Sequence, residues 1–207
     1  MAIIPWTNID RVKRLIDKTQ PDDDAILTAL IEEFSSAFEI MIRRHVEKKE
    51  RTEYYDAEAG QTTLILKGYP IDTGETFEIY NDTARDFGSS SLISSDSYSI
   101  SQNTGLITFD RITLYDGPGV VKVVYTGGIA ENTNDIIGNT NVENAILLAQ
   151  AVEFQVAHIY QRRRALGSNT VSGGGGSVTV DDPTKLLPIV KRNLALFERS
   201  HEADEPL

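Results

Sequence analysis

The chain of 207 residues contains no cysteine. Disulfides, thiolate nucleophiles and thiolate-held zinc are therefore outside its chemistry. Histidine is scarce: there are three, His45, His158 and His201, and no two lie three or four positions apart, so a helical histidine pair for a metal is not encoded. The sequence has no run of about 18 apolar residues, and no transmembrane helix is expected. The start, Met1-Ala2-Ile3-Ile4-Pro5-Trp6, lacks the basic region and apolar stretch of a secretory signal. Together these predict a protein made in a cytoplasm and soluble there. Positive charge is also short, with 20 Lys and Arg against 31 Asp and Glu, a formal net charge of −11. Proteins that wrap DNA draw affinity from phosphate neutralisation, and a field of this sign repels it.

What is present is the composition of a folded chain, 40% hydrophobic and 25% charged. The length suits one domain, or one domain with an insertion. From Thr7 to Lys49 the pattern predicts two helices. Thr7 or Asn8 caps the first, Pro21 interrupts it, and Asp22-Asp23-Asp24 opens a second with Leu27, Leu30, Ile31, Phe34, Phe38, Met41 and Ile42 at helical spacing. The cluster Arg43, Arg44, His45, Lys48 and Lys49 matches the negative end of that helix dipole.

Short β runs follow, at Thr62–Leu66, Thr76–Tyr80, Ser97–Ser101, Leu106–Phe109 and Val120–Tyr125. Turn chemistry marks Gln102–Gly105 and Asp116–Gly119, and the serine-rich stretch Gly88–Ser97 reads as an exposed loop. Helix resumes with Asn141 as cap and Val142 to Arg164 as body, apolar on most of its circumference. Such a helix needs cover on most sides; a chain this size can supply part of it, and a neighbouring subunit could supply the rest. A flexible Gly-rich loop and a last helix from Pro183 to Arg199 complete the pattern.

The predicted class is α+β, mainly a helical bundle of two N-terminal and two C-terminal helices with a small antiparallel β region inserted. Within a single domain the segments are a helical hairpin at 7–50, the β insertion at 62–126, and a second hairpin at 141–200 carrying the Gly-rich loop 167–177. Residues 201–207 form a flexible tail.

Catalytic motifs fail on inspection. Gly173–Gly176 and Ser177 lack the lysine and the immediate helix of a phosphate loop, and three consecutive aspartates lack the alternation of a calcium loop. No Gly-x-Ser-x-Gly elbow occurs, and His158 fits a core or interface histidine better than a base. The expectation is therefore no catalytic, cofactor-binding or metal-binding residue and no enzymatic activity. The candidate protein-contact residues are Arg162, Arg163 and Arg164 with Leu187, Val190, Leu194 and Phe197 of the last helix. The arginines admit three roles: a solvated helix end, a contact for an acidic protein surface, or a contact for DNA.

Several segments in order carry a family likeness. They are Val12–Ile16 with Asp22–Asp24, Arg51–Asp56, Leu64–Ile71, the hairpin Tyr98–Phe109, Val121–Gly128, and Tyr160–Arg164 followed by a Gly/Ser loop and Leu186-Leu187-Pro188. In that order and spacing the chain resembles the head–tail connector (adaptor) proteins of tailed bacteriophages. The serine-rich stretch Asp82–Ser97 departs from the pattern.

The resemblance implies a structural protein in the virion neck, assembled from host cytoplasm as a ring of about twelve copies. Its partners would be other copies of itself, the portal protein above and a stopper or tail protein below. DNA would pass through the lumen without specific binding, past an acidic wall, and neither membrane nor cofactor would be involved. Flexible arms, the last helix and the tail, would order on contact with the portal or a neighbour. The competing expectations are another neck component (a stopper or tail-completion protein), a DNA-binding module working through Arg162–Arg164, and an acidic hydrolase with a carboxylate pair.

Overall fold

A computed structural model describes residues 4–138, 144–163, 170–173, 176–179 and 185–199. The chain divides into two units, one of Met1–Ile42 with Asn132–Glu198 and one of Arg43–Glu131 with Arg199–Leu207. Its class is α+β.

In the first unit the Asn8 side chain accepts the Arg11 N–H at 3.1 Å and so starts α1, Ile9–Leu15. The helix stops well before Pro21, and Asp17 takes a left-handed φ of 52° beyond its end. The next helix, α2 (Asp24–Ile42), begins at the third of the three aspartates. Asp24 accepts Lys13 Nζ at 2.7 Å. Leu27, Ile31, Ser35, Phe38 and Ile42 form its buried face. Trp6 is fully buried with its ring 6.2 Å from Phe38, and its backbone N–H donates to Ser35 Oγ at 3.0 Å.

A short α3 (Thr133–Gly138), absent from the sequence-based expectation, precedes α4 (Ile146–Arg162). The expected cap Asn141 lies outside the described residues. α4 packs against α1, α2, α3 and α5 (Pro188–Ala195). Most of its apolar circumference is therefore covered within the chain, with Ile146, Leu147, Phe154 and Ile159 left half-buried. The buried polar groups of α4 are matched too. Glu153 accepts Thr7 Oγ1 at 2.7 Å and pairs with Arg11 Nε. Gln155 accepts the Leu187 N–H at 3.2 Å and donates to the Lys185 carbonyl at 3.3 Å, fixing the approach to α5. Replacing Glu153 by alanine strands Thr7 and Arg11, and should cost about 3 kcal/mol, read from the urea midpoint.

The last helix is shorter than expected, because Pro188 occupies its first position and supplies the φ that a helix start needs. Where a flexible loop was expected at 167–177, strands β7 (Thr170–Gly173) and β8 (Gly176–Thr179) pair antiparallel. Thr-Val-Ser faces Ser-Val-Thr there, and β-branched residues on both sides suit pairing.

The second unit holds the other strands: β1 (Lys49–Ala57), β2 (Thr63–Ile65), β3 (Phe77–Asn81), β4 (Tyr98–Ser101), β5 (Leu106–Phe109) and β6 (Gly117–Gly127). They form two antiparallel sheets, ordered β1-β6-β3 and β2-β5-β4. One apolar cluster draws on both, including Ile79, Val121, Val123 and Tyr125 from the first and Leu64, Ile107 and Phe109 from the second.

The expected helix to residue 50 is wrong at its end. Arg43 takes φ 53°, the helix stops at Ile42, and the β region starts at Lys49 rather than residue 62. Arg44 of the basic cluster does not serve the helix dipole. Arg44 is buried with its guanidinium 3.6 Å from the Tyr69 ring centre, and it donates to the Tyr69 carbonyl. Burial pulls its pKa down to about 10, so it stays charged at neutral pH.

An expected turn and an expected loop also carry more structure than that. Gly117 and Gly119 enter β6 through a bulge opposite Tyr55 and Ala57, where the Gly119 N–H reaches Asp56 Oδ1 at 2.7 Å. The serine-rich stretch makes two short 3₁₀ turns, Ser89–Ser91 and Ser95–Ser97. Between them Ile93 is buried, with its N–H on the Ile79 carbonyl at 2.8 Å.

Candidate functional site

The arginines at the end of α4 do not act as a set. Arg163 stacks 4.0 Å above the Tyr160 ring and pairs with Asp23 at 3.3 Å. Arg162 has Nη1 buried without a hydrogen-bond partner, and Arg164 lies outside the described residues. Of the four candidates on and around α5, Val190, Leu194 and Phe197 are buried inside the first unit and Leu187 is half-buried. They hold α5 to its own chain, so a partner would meet the opposite side of that helix.

Asp23 ties the start of α2 to the end of α4. It accepts the Tyr160 hydroxyl, Arg163, and Lys18 Nζ at 3.6 Å. The Tyr160 hydrogen bond, with help from Arg163 and Lys18, holds its carboxyl below the ordinary 3.8. A depressed carboxylate pKa adds stability that is present above pH 4 and is lost as pH falls through the lower folded-state value. Asp23→Asn should therefore flatten the acid limb of stability below pH 4 relative to the native chain, as measured by urea midpoints across pH.

An open groove of about 360 Å³ is lined by Leu15, Phe154, Ala157, His158, Gln161, Leu187 and Ile189. His158 is the only ionisable side chain in that lining. Among the described residues no group of three His, Asp or Glu side chains could hold a metal ion, and no helix is long and apolar enough to cross a membrane.

What the chain offers instead is surface. On α2, Ile26 is 46% exposed, Ile40 74% and Met41 46%. With Leu30, Glu33 and Ala37 they fall within about 100° of the circumference at 3.6 residues per turn. This stripe lies to one side of the buried face; Leu30 and Ala37 in it are half-buried, and Ile26, Glu33, Ile40 and Met41 are exposed. In the second unit the outer side of the β1-β6-β3 sheet carries Tyr54, 58% exposed and 5.6 Å from Phe87, in register with Lys122 and Tyr80. Lys122 Nζ lies 4.6 Å from the centre of the Tyr80 ring.

No protein-family model matches the chain, and neither does any curated protein. Solved structures do. A chain from the virion of a native gene transfer agent (GTA) particle superposes with a TM-score of 0.57 at 14% identity, over 97% of this chain and 94% of that one. The chain shares the fold of a gene transfer agent component. A chain from the neck of an empty GTA particle, computed with C6 symmetry, gives 0.55 at 14% identity, over 91% and 88%. One from the neck of a native GTA particle, computed with C12 symmetry, gives 0.54 at 14%, over 93% and 92%. Each likeness to a GTA chain runs through both units, not one alone.

Sequence reasoning missed the α2 stripe. It counted Leu30 and Met41 with the core face and passed over Ile26 and Ile40. The signal was available: apolar residues at 26, 30, 37, 40 and 41, with Glu33 in the gap between 30 and 37, fall on one side of a helix beside the first stripe.

Proposed function

We propose that this chain is a structural subunit of a virion neck, an adaptor that assembles as a ring of about twelve copies beneath the portal. The observation that carries this reading is the fold shared, end to end, with chains of GTA necks whose particles were computed with C6 and C12 symmetry. The order of elements, helices flanking a β region, is the one the resemblance to phage adaptors implies. In this role the ring extends the DNA channel and presents a surface to a stopper or tail protein. It works by binding and shape, without catalysis or cofactor.

The net charge of −11 suits a channel component, because a ring multiplies it and DNA finds no net attraction to linger on. Arg163, one of the arginines considered for a DNA contact, is engaged by Asp23. A stopper or tail-completion role belongs to the same neck and differs in position along it. Particles assembled without the chain test the proposal. They should package DNA, hold it poorly and carry no tails. Tailed, DNA-retaining particles from the same preparation would refute it.

A further inference from the structure

The α2 stripe is an apolar face with an acid at its centre. Glu33 is exposed between Leu30 and Ala37 and has no ion-pair partner among the described residues. Such a face calls for a mate that is apolar and basic. The same unit carries one: on α5, Lys191, Arg192 and Ala195 are exposed, and Leu196 just beyond the helix is 67% exposed. Neither Lys191 nor Arg192 has an ion-pair partner among the described residues.

We infer that the outer stripe of α2 on one copy packs against the outer face of α5 on a second copy, with Ile40 and Met41 against Leu196 and Glu33 against Lys191 or Arg192. The occupant is a second copy because the complementary chemistry is present on this chain itself. Opposite charges across the contact also set its register. Two different faces meeting head to tail make a heterologous contact, which closes into a ring where the rotation allows, whereas a self-complementary face makes only a dimer. The inference rests on the ring reading and names the surfaces that would build it.

A charge exchange in the full-length chain tests it, with self-association followed by light scattering over a concentration series. Glu33→Lys alone, and Lys191→Glu with Arg192→Glu, should each weaken association about tenfold or more, and all three together should restore it. Ile40→Asp should abolish association without changing the circular dichroism spectrum. The inference is overturned if the triple variant associates no better than either parent, if Ile40→Asp associates like the native chain, or if the native chain remains monomeric throughout. Failure of the ring reading looks different. The charge exchange would still work in solution while the chain was missing from the particle neck.

Discussion

Gly128→Val should unfold the second unit, at a cost of about 4 kcal/mol or more. Gly128 has φ 136°, and a Cβ there would sit 2.4 Å from the Glu47 carbonyl oxygen and 2.6 Å from its carbon. Both obstacles are backbone, so no side chain can swing aside. A Cβ on the preceding Gly127 would meet the Gly68 oxygen at 2.1 Å. The exit of β6 is a crossing point at which residues 46–48 and 68–70 close on residues 127–130. The Gly128 N–H reaches the Pro70 carbonyl at 3.0 Å, Ile129 reaches Val46 at 2.8 Å, and Lys48 reaches Ala130 at 2.7 Å. Gly119→Ala is the control. Its φ is 62°, but the space is open, so only the left-handed strain applies, about 1 kcal/mol. Denaturant midpoints of the two variants should differ accordingly, and protection of the β1 and β6 amides from hydrogen exchange should be lost only in the first.

Trp6→Ala should cost about 3–5 kcal/mol in the first unit. The indole is fully buried, and it lies against Phe38, itself 5.6 Å from Phe34. The backbone bond from Trp6 to Ser35 survives the substitution, so the loss is one of packing and cavity. Trp6→Phe keeps most of the ring contact. It also removes an indole N–H that is buried without a partner, and it should cost less than half as much. Urea unfolding followed by far-ultraviolet circular dichroism reads both without relying on tryptophan emission.

The residues that were easiest to place from sequence carry strong local signals. Leu27, Ile31, Phe38 and Ile42 repeat at helical spacing and are buried as expected. Leu106–Phe109 matches β5 residue for residue, because its alternation and the Gly105 turn agree. Strand β1 was illegible for the opposite reason. Lys49–Ala57 alternates between half-buried and exposed positions using polar residues on both faces, so hydrophobicity gives no period. Its place is set by β6, a partner sixty residues on. Arg44 was misread because a buried arginine over a tyrosine ring depends on tertiary contact, whereas a dipole match is local. The contact surface split the same way. Val190 and Leu194 were visible as an apolar face, yet that face turns inward. The outward stripe of α2 was masked by the stronger period beside it.

As proposed above, this chain is a repeated structural part of the neck. A cryo-electron reconstruction of the producing particle's head–tail junction, resolved well enough to follow the main chain, tests that directly. A closed ring of copies between portal and tail, with α2 and α5 of adjacent subunits in contact, is the predicted density. A neck fully accounted for by other chains would contradict it.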